Sequence, residues 1–226
     1  MPIRTETRND ILLITIDRPD RRNAVDGPMA EDLRQAFEND DETRVAVLTG
    51  AGDTFCAGND LKAIMAGEFP AATTDGPPPM QVTRTAPAKP VIAAIEGYCF
   101  GGGMELALWA DLRVASTTAE FGLLNLGKGL PCLDGATVRL PRIIGHGRAM
   151  ELILTGRRLP AAEALTYGLI TELTAPGKAL DTALALAARI AATPPDALAA
   201  ARRSALTQWS LPEPDATRNE ATLALT

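Results

Sequence analysis

Residues 97–106 read GYCFGGGMEL, in which three consecutive glycines, Gly101, Gly102 and Gly103, separate a short strand pattern from a helical one and stand just ahead of Glu105. A helix that starts near Gly102 leaves its first N–H groups without partners inside the helix. Such donors can hold an oxygen that carries negative charge, and glycines let that oxygen approach the backbone. Glu105 follows Gly102 by about one helical turn, so its carboxylate can work on a proton near the same helix end. In the plainer alternative the glycines only permit a tight strand-to-helix turn and Glu105 favours the positive end of the helix dipole. A phosphate loop, GxxxxGK(S/T), is absent, and a GxGxxG run fails because Leu106 stands where its last glycine belongs.

A second junction of the same kind lies upstream. GDTFCAGNDLK, residues 52–62, follows the apolar run Val45 to Thr49 and places Gly58 before another helix-like segment. Two such turns can supply two converging N–H groups, the minimum that holds an enolate or a tetrahedral oxyanion.

Strand and helix patterns alternate around these junctions. IRTET and Ile11 to Ile16 predict a hairpin across Asn9 and Asp10, and Met29, Leu33 and Phe37, four apart, predict a helix with Pro28 in its first turn. Val45 to Thr49 and Val91 to Ile95 predict buried strands. The segment from Ala66 to Pro90 collects Gly, Pro and Thr and predicts a mobile loop bordering a site. From Arg148 onward the patterns are mostly helical. The expected fold is a single α/β domain over residues 1–226, with a core over about 1–147 and a helical portion over about 148–226.

The net charge of −6 disfavours a nucleic-acid surface, since that would need a basic stripe. Arg18, Arg21, Arg22, Lys62, Arg84 and Lys89 are the basic groups available to an anionic small ligand, or else scattered surface charges. No apolar run suits a membrane helix and the N-terminus lacks a signal-peptide pattern, so a cytoplasmic protein is expected. Cys56, Cys99 and Cys132 have no metal or disulfide spacing and are read as reduced, buried structural thiols. No metal site is expected. His146, the one histidine, lies away from both junctions and is read as structural or exposed, and no GxSxG elbow occurs. Asp111 is read as a partner for buried backbone or arginine groups, and Trp109 and Phe100 as core residues, Phe100 near enough to the glycines to form a wall.

The blocks IDRPDRRNAV, VAVLTGAGDTFCAGNDLK, KPVIAAIEGYCFGGGMELALWADLRVA, RLPRIIGHGRAMELILTGRRLPAAEAL and YGLITEL, in this order, resemble the crotonase family, the enoyl-CoA hydratase/isomerase superfamily. The resemblance implies a crotonase-like ββα-repeat core that binds an acyl-CoA and stabilises a thioester enolate. By position it makes the N–H groups of Asn59 and Gly102 the oxyanion donors. It places Arg22, Ala24, Ala57, Asn59, Asp60, Leu61, Lys62 and Gly102 along the substrate and CoA site. Glu105 matches one of two catalytic glutamates of the hydratases. The place of the second, in EFGLLNLGKGL, holds Asn125, and an amide cannot act as a carboxylate acid or base. In PCLDGAT, where the hydratases differ, Asp134 is a candidate second acid or base. CoA would arrive as part of the substrate with no permanently bound cofactor, and a homotrimer or dimer of trimers is implied. Hydration, double-bond isomerisation, thioester hydrolysis and acyl-CoA binding without chemistry all remain open at this point.

Overall fold

Residues Ile11 to Ile16 alternate between two faces of a strand, and both faces are covered by apolar partners. The structure is a computed structural model that describes residues 2–69 and 73–225. In it β1 (Ile3–Arg8) and β2 (Ile11–Ile16) form the expected antiparallel hairpin, with Asn9 at φ 54 in the turn. Asparagine tolerates this left-handed conformation better than a bulky residue does. The predicted helix follows as α1 (Gly27–Glu38); Asp26 caps it by accepting from Met29 N–H, and Pro28 sits in its first turn.

β3 (Val45–Gly50) lies parallel to β2, and the short helix α2 (Leu61–Met65) comes after the second glycine junction. β4 (Val91–Ile95) is parallel to β3, and β5 (Tyr98–Phe100) runs into α3 (Gly102–Trp109). β6 (Leu112–Ser116) then returns beside β4, and β7 (Glu120–Gly122) pairs with β5. Next come α4 (Ala136–Ile144), α5 (His146–Thr155), β8 (Leu159–Pro160), α6 (Ala161–Tyr167) and β9 (Glu172–Thr174). The described chain closes with α7 (Ala179–Ala191), α8 (Pro195–Thr207) and α9 (Glu213–Leu225).

The strands build a six-stranded sheet in the order β1-β2-β3-β4-β6-β9, parallel except for the first pair, and a three-stranded sheet in the order β5-β7-β8. One face of the large sheet presents Ile11, Leu13, Val45, Val47, Ile92, Ala94 and Val114 to α7. That helix answers with Ala179, Ala183, Ala187 and Ala191, a four-residue spacing that makes one smooth face and lets the helix lie close to the strands. The opposite face packs Leu12, Ile14, Ile16, Leu48, Ala93 and Ile95 with Met29 and Leu33 of α1 and Leu106 and Ala107 of α3. Phe37 of α1 meets Trp109 of α3 edge to face, with ring centroids 5.0 Å apart. Asp111 accepts from Val91 N–H at 2.8 Å and pairs with Arg202 at 3.0 Å, the backbone and arginine partnership expected of it.

Within the mostly helical C-terminal part, β8 and β9 extend the two sheets. At two and three residues they are too short to show a periodic pattern. His146 is exposed at the start of α5, Cys56 and Cys99 are buried, and Cys132 is half-buried. Among the described residues no helix is long and apolar enough to cross a membrane.

Candidate active site

The two glycine junctions meet. Cys56 N–H donates to the Tyr98 carbonyl and Phe100 N–H donates to the Cys56 carbonyl, each at 3.0 Å, so the segment after β3 runs alongside β5. On its other side Val25 N–H donates to the Gly58 carbonyl at 2.9 Å and Asp60 N–H donates to the Val25 carbonyl at 2.7 Å. A parallel bridge of this form uses the groups on either side of Asn59, so Asn59's own N–H points away from Val25. Gly58, at φ +99, comes so close to the helix end that a Cβ there would lie 3.0 Å from the Gly102 nitrogen.

Each of the three glycines at the other junction has its own reason. Gly101 is the N-cap of α3 at φ 52, ψ −124, a conformation open in practice to glycine alone. A Cβ on Gly102 would stand 2.5 Å from Met80 Cε and 2.9 Å from Asn59 Oδ1, and one on Gly103 would stand 2.2 Å from the Cys56 carbonyl oxygen. The expectation that these glycines clear space for a ligand therefore has a nearer cause inside the chain: tight packing of the two junctions. Gly102, the first residue of α3, lines the same cavity as Asn59, and the first N–H groups of a helix have no partner inside it.

The cavity has a volume of about 610 Å³. All of the residues singled out from the sequence for the site line it: Arg22, Ala24, Ala57, Asn59, Asp60, Leu61, Lys62, Gly102, Glu105 and Asp134, together with Asn125. Of the six basic candidates, Arg21, Arg22 and Lys62 reach it. Lys89 instead pairs with Asp40 at 2.7 Å, Arg84 donates to the Gly76 carbonyl, and Arg18 pairs with Asp26 and Asp60. Asp60 caps α2 by accepting from Lys62 N–H at 2.9 Å, so its carboxylate is already engaged.

Glu105 is buried at 3% exposure. Its Oε1 accepts from the N–H groups of Asp134 and Ala136, both at 3.0 Å, and Ala136 is the first residue of α4. Glu105 lines the cavity, and among the described residues no hydrogen bond to its Oε2 is found. Burial, with the charge of Asp134 adding to it, pushes the Glu105 carboxyl up to about 7, against the lowering effect of the two N–H donors and Arg139. Asp134 is buried at 2% exposure and accepts at Oδ1 from Met80 N–H (2.9 Å) and the Thr83 hydroxyl (2.6 Å). Burial raises its carboxyl above the ordinary range too, and the bonds to Thr83 and Met80 and the charge of Arg139 oppose the rise.

The loop from Ala66 to Pro90 borders the cavity through Phe69 and Pro79. Within this loop Met80 and Thr83 are buried, and Arg139 donates to the Asp134 carbonyl at 2.8 Å and the Thr83 carbonyl at 2.5 Å. Residues 70–72 of this loop lie outside the described residues. Sequence reasoning missed the apolar lining of Ile64, Leu124, Leu130 and Leu133, and also Lys128 and Arg158. Arg158 lies over the Phe100 ring at 5.2 Å and pairs with Glu120. These residues come from three separate stretches, around 64, 124–133 and 158, and share no local pattern. Phe100 does form a wall of the cavity.

The family model described as enoyl-CoA hydratase/isomerase matches residues 6–225. The chain is 40% identical over 220 residues to the (E)-benzylidenesuccinyl-CoA hydratase of Thauera aromatica, covering 94% of this chain and 85% of that protein. It is 40% identical over 199 residues to the carnitinyl-CoA dehydratase of Proteus mirabilis, covering 86% of this chain and 76% of the other. Its fold superposes on the crystal structure of enoyl-CoA hydratase from Mycobacterium tuberculosis with a TM-score of 0.92 at 40% identity, over 98% of this chain and 88% of that one.

Proposed function

The chain belongs to the enoyl-CoA hydratase/isomerase family, and from that premise we propose that it catalyses the reversible addition of water to a 2-enoyl-CoA thioester. The thioester oxygen sits between the N–H groups of Asn59 and Gly102. Charge moves onto that oxygen as the enolate forms, and each such donor is worth about 3 kcal/mol at the transition state. Glu105 Oε2 moves the proton. Arg22 and Lys62 face the phosphates of CoA, while Ala24, Ala57, Asp60 and Leu61 shape the passage between them and the acyl end. CoA enters as part of the substrate, and no other cofactor takes part.

One observation carries this reading: Glu105 is held by one oxygen on two backbone N–H groups, and it lines the cavity that Gly102 and Asn59 line. Asp134 belongs to the same machinery, but with Oδ1 committed to Met80 and Thr83 we assign it to positioning Glu105 and the loop. The relatives named as a hydratase and a dehydratase support water chemistry. Asn125 favours a second reading, double-bond isomerisation, in which the single carboxylate carries a proton from one carbon to another. A trimer or dimer of trimers is proposed for the assembly, and analytical ultracentrifugation tests it.

The decisive experiment incubates the protein with matched 2-enoyl-CoA and 3-enoyl-CoA thioesters in heavy water and follows mass. Addition of water by the wild type, abolished in Glu105→Gln with thioester binding preserved, is the expected result. Deuterium uptake with double-bond migration and no added water would replace hydration by isomerisation. Binding with neither reaction would refute the catalytic reading.

A further inference from the structure

Three buried side-chain oxygens have no hydrogen-bond donor among the described residues: Asn59 Oδ1, Asn125 Oδ1 and Asp134 Oδ2. All three belong to residues that line the Glu105 cavity. A buried acceptor left unpaired is destabilising, so three around one cavity call for an occupant that brings O–H or N–H donors.

Asn125 is the most constrained of them. Its Nδ2 donates to the Leu130 carbonyl at 3.0 Å, and a carbonyl can only accept, so the amide cannot be turned round without losing that bond. Its backbone carbonyl accepts from Lys128 N–H at 2.9 Å and Leu130 N–H at 3.1 Å, which fixes the turn beneath it. Oδ1 consequently lies over Gly101, 3.6 Å from where a Cβ would stand on that residue. Gly101 is the N-cap of the helix that carries Gly102 and Glu105, so this orphaned acceptor stands beside the start of that helix, on a residue that lines the cavity.

We propose that Asn125 positions the water that adds to the substrate's β-carbon, accepting one of its hydrogens at Oδ1 while Glu105 takes the other. This rests on the hydration reading above. A lone pair of the water oxygen forms the bond to the β-carbon, and the π pair of the Cα=Cβ bond shifts to make the enolate, whose charge lies on the thioester oxygen. The proton released from the water goes to Glu105, and Glu105 then delivers it to the α-carbon as the enolate collapses. One hydrogen and one hydroxyl are added in all, with no oxidant or reductant. An amide serves this purpose without competing for the proton and without placing a second charge beside Glu105. A single carboxylate therefore suffices for hydration.

The test compares wild type, Asn125→Ala and Glu105→Gln in two assays in heavy water: water addition to a 2-enoyl-CoA, and exchange of the α-hydrogens of the matching saturated acyl-CoA. Exchange needs the enolate and Glu105 but no attacking water. Asn125→Ala should lose water addition by about a hundredfold or more, with KM little changed, and keep wild-type exchange. Glu105→Gln should lose both. Water addition at the wild-type rate in Asn125→Ala would overturn the assignment, as would an equal loss of exchange, which marks a merely structural role. If the wild type itself adds no water, the hydration reading fails and this inference falls with it.

Discussion

Glu105→Gln should stabilise this protein in a way that depends on pH. Glutamine is nearly isosteric and does not titrate, and its carbonyl oxygen can keep both N–H donors that now point at Oε1, those of Asp134 and Ala136. In the folded chain burial pushes the Glu105 carboxyl up to about 7 from an ordinary 4.5. A carboxyl whose folded value is raised contributes stability that is fully present below the unfolded value and is lost as pH rises through the folded one. Each pH unit of that window is worth about 1.4 kcal/mol, and by about pH 5 a portion is already lost because the unfolded chain has begun to ionise. Between about pH 5 and about pH 8 the wild type should therefore lose about 2.5 kcal/mol relative to the glutamine variant. The charge on Asp134 is common to both proteins and largely cancels in the difference. Urea unfolding of both proteins at the two pH values measures it, provided the slopes agree. A stability difference that stays constant across this range would refute the raised carboxyl and, with it, the idea that the site keeps a proton-transfer group poised near neutrality. The same ionisation predicts that turnover rises as pH climbs through about 7, since Glu105 must be a carboxylate to accept the proton.

Other substitutions test the scaffold around that carboxylate. Asn23 is fully buried at φ 55, accepts from Arg18 N–H at 2.9 Å and donates to the carbonyls of Ala51 (2.9 Å) and Thr54 (2.6 Å). Asn23→Ala should cost about 3 kcal/mol in urea unfolding, and a loss under about 1 kcal/mol would contradict this accounting. Gly58→Ala and Gly67→Ala both force a left-handed alanine, at φ +99 and +72, at a backbone cost of about 1–2 kcal/mol each, and at Gly58 the new Cβ also meets the Phe100 carbonyl oxygen at 2.9 Å. Only at Gly58 does the new Cβ approach the Gly102 nitrogen, so kcat/KM should fall in that variant alone; equal turnover in the two would count against the converging N–H groups. Thr83→Val removes the hydroxyl that Asp134 Oδ1 accepts from and should lower the thermal midpoint and turnover together, with Thr83→Ser restoring both.

Much of the framework was legible in the residues because its signals are local. The four-residue spacing of Met29, Leu33 and Phe37, Pro28 in the first turn and the apolar runs of β2, β3 and β4 each act within a few residues. The ordered family blocks reached further and pointed to one cavity, which all the residues taken from them line. The two shortest strands, β8 and β9, were not legible, because they depend on pairing with β7 and β6 across the chain. Nor was the apolar lining, since Ile64, Leu124, Leu130 and Leu133 become neighbours only after folding.

By itself the sequence determined which chemical groups this protein possesses: backbone donors at glycine turns, one carboxylate a helical turn away, and an amide, Asn125, where the family resemblance implies a second carboxylate. Only the tertiary structure decided what each group can do. It spends Glu105 Oε1 on the start of α4, from residues about thirty positions away, and spends Asp134 Oδ1 on a loop more than fifty away. It also buries Glu105 deeply enough to move its proton affinity toward neutrality. Desolvation and hydrogen-bond competition arise from neighbours in space, and most of these neighbours are distant in the chain.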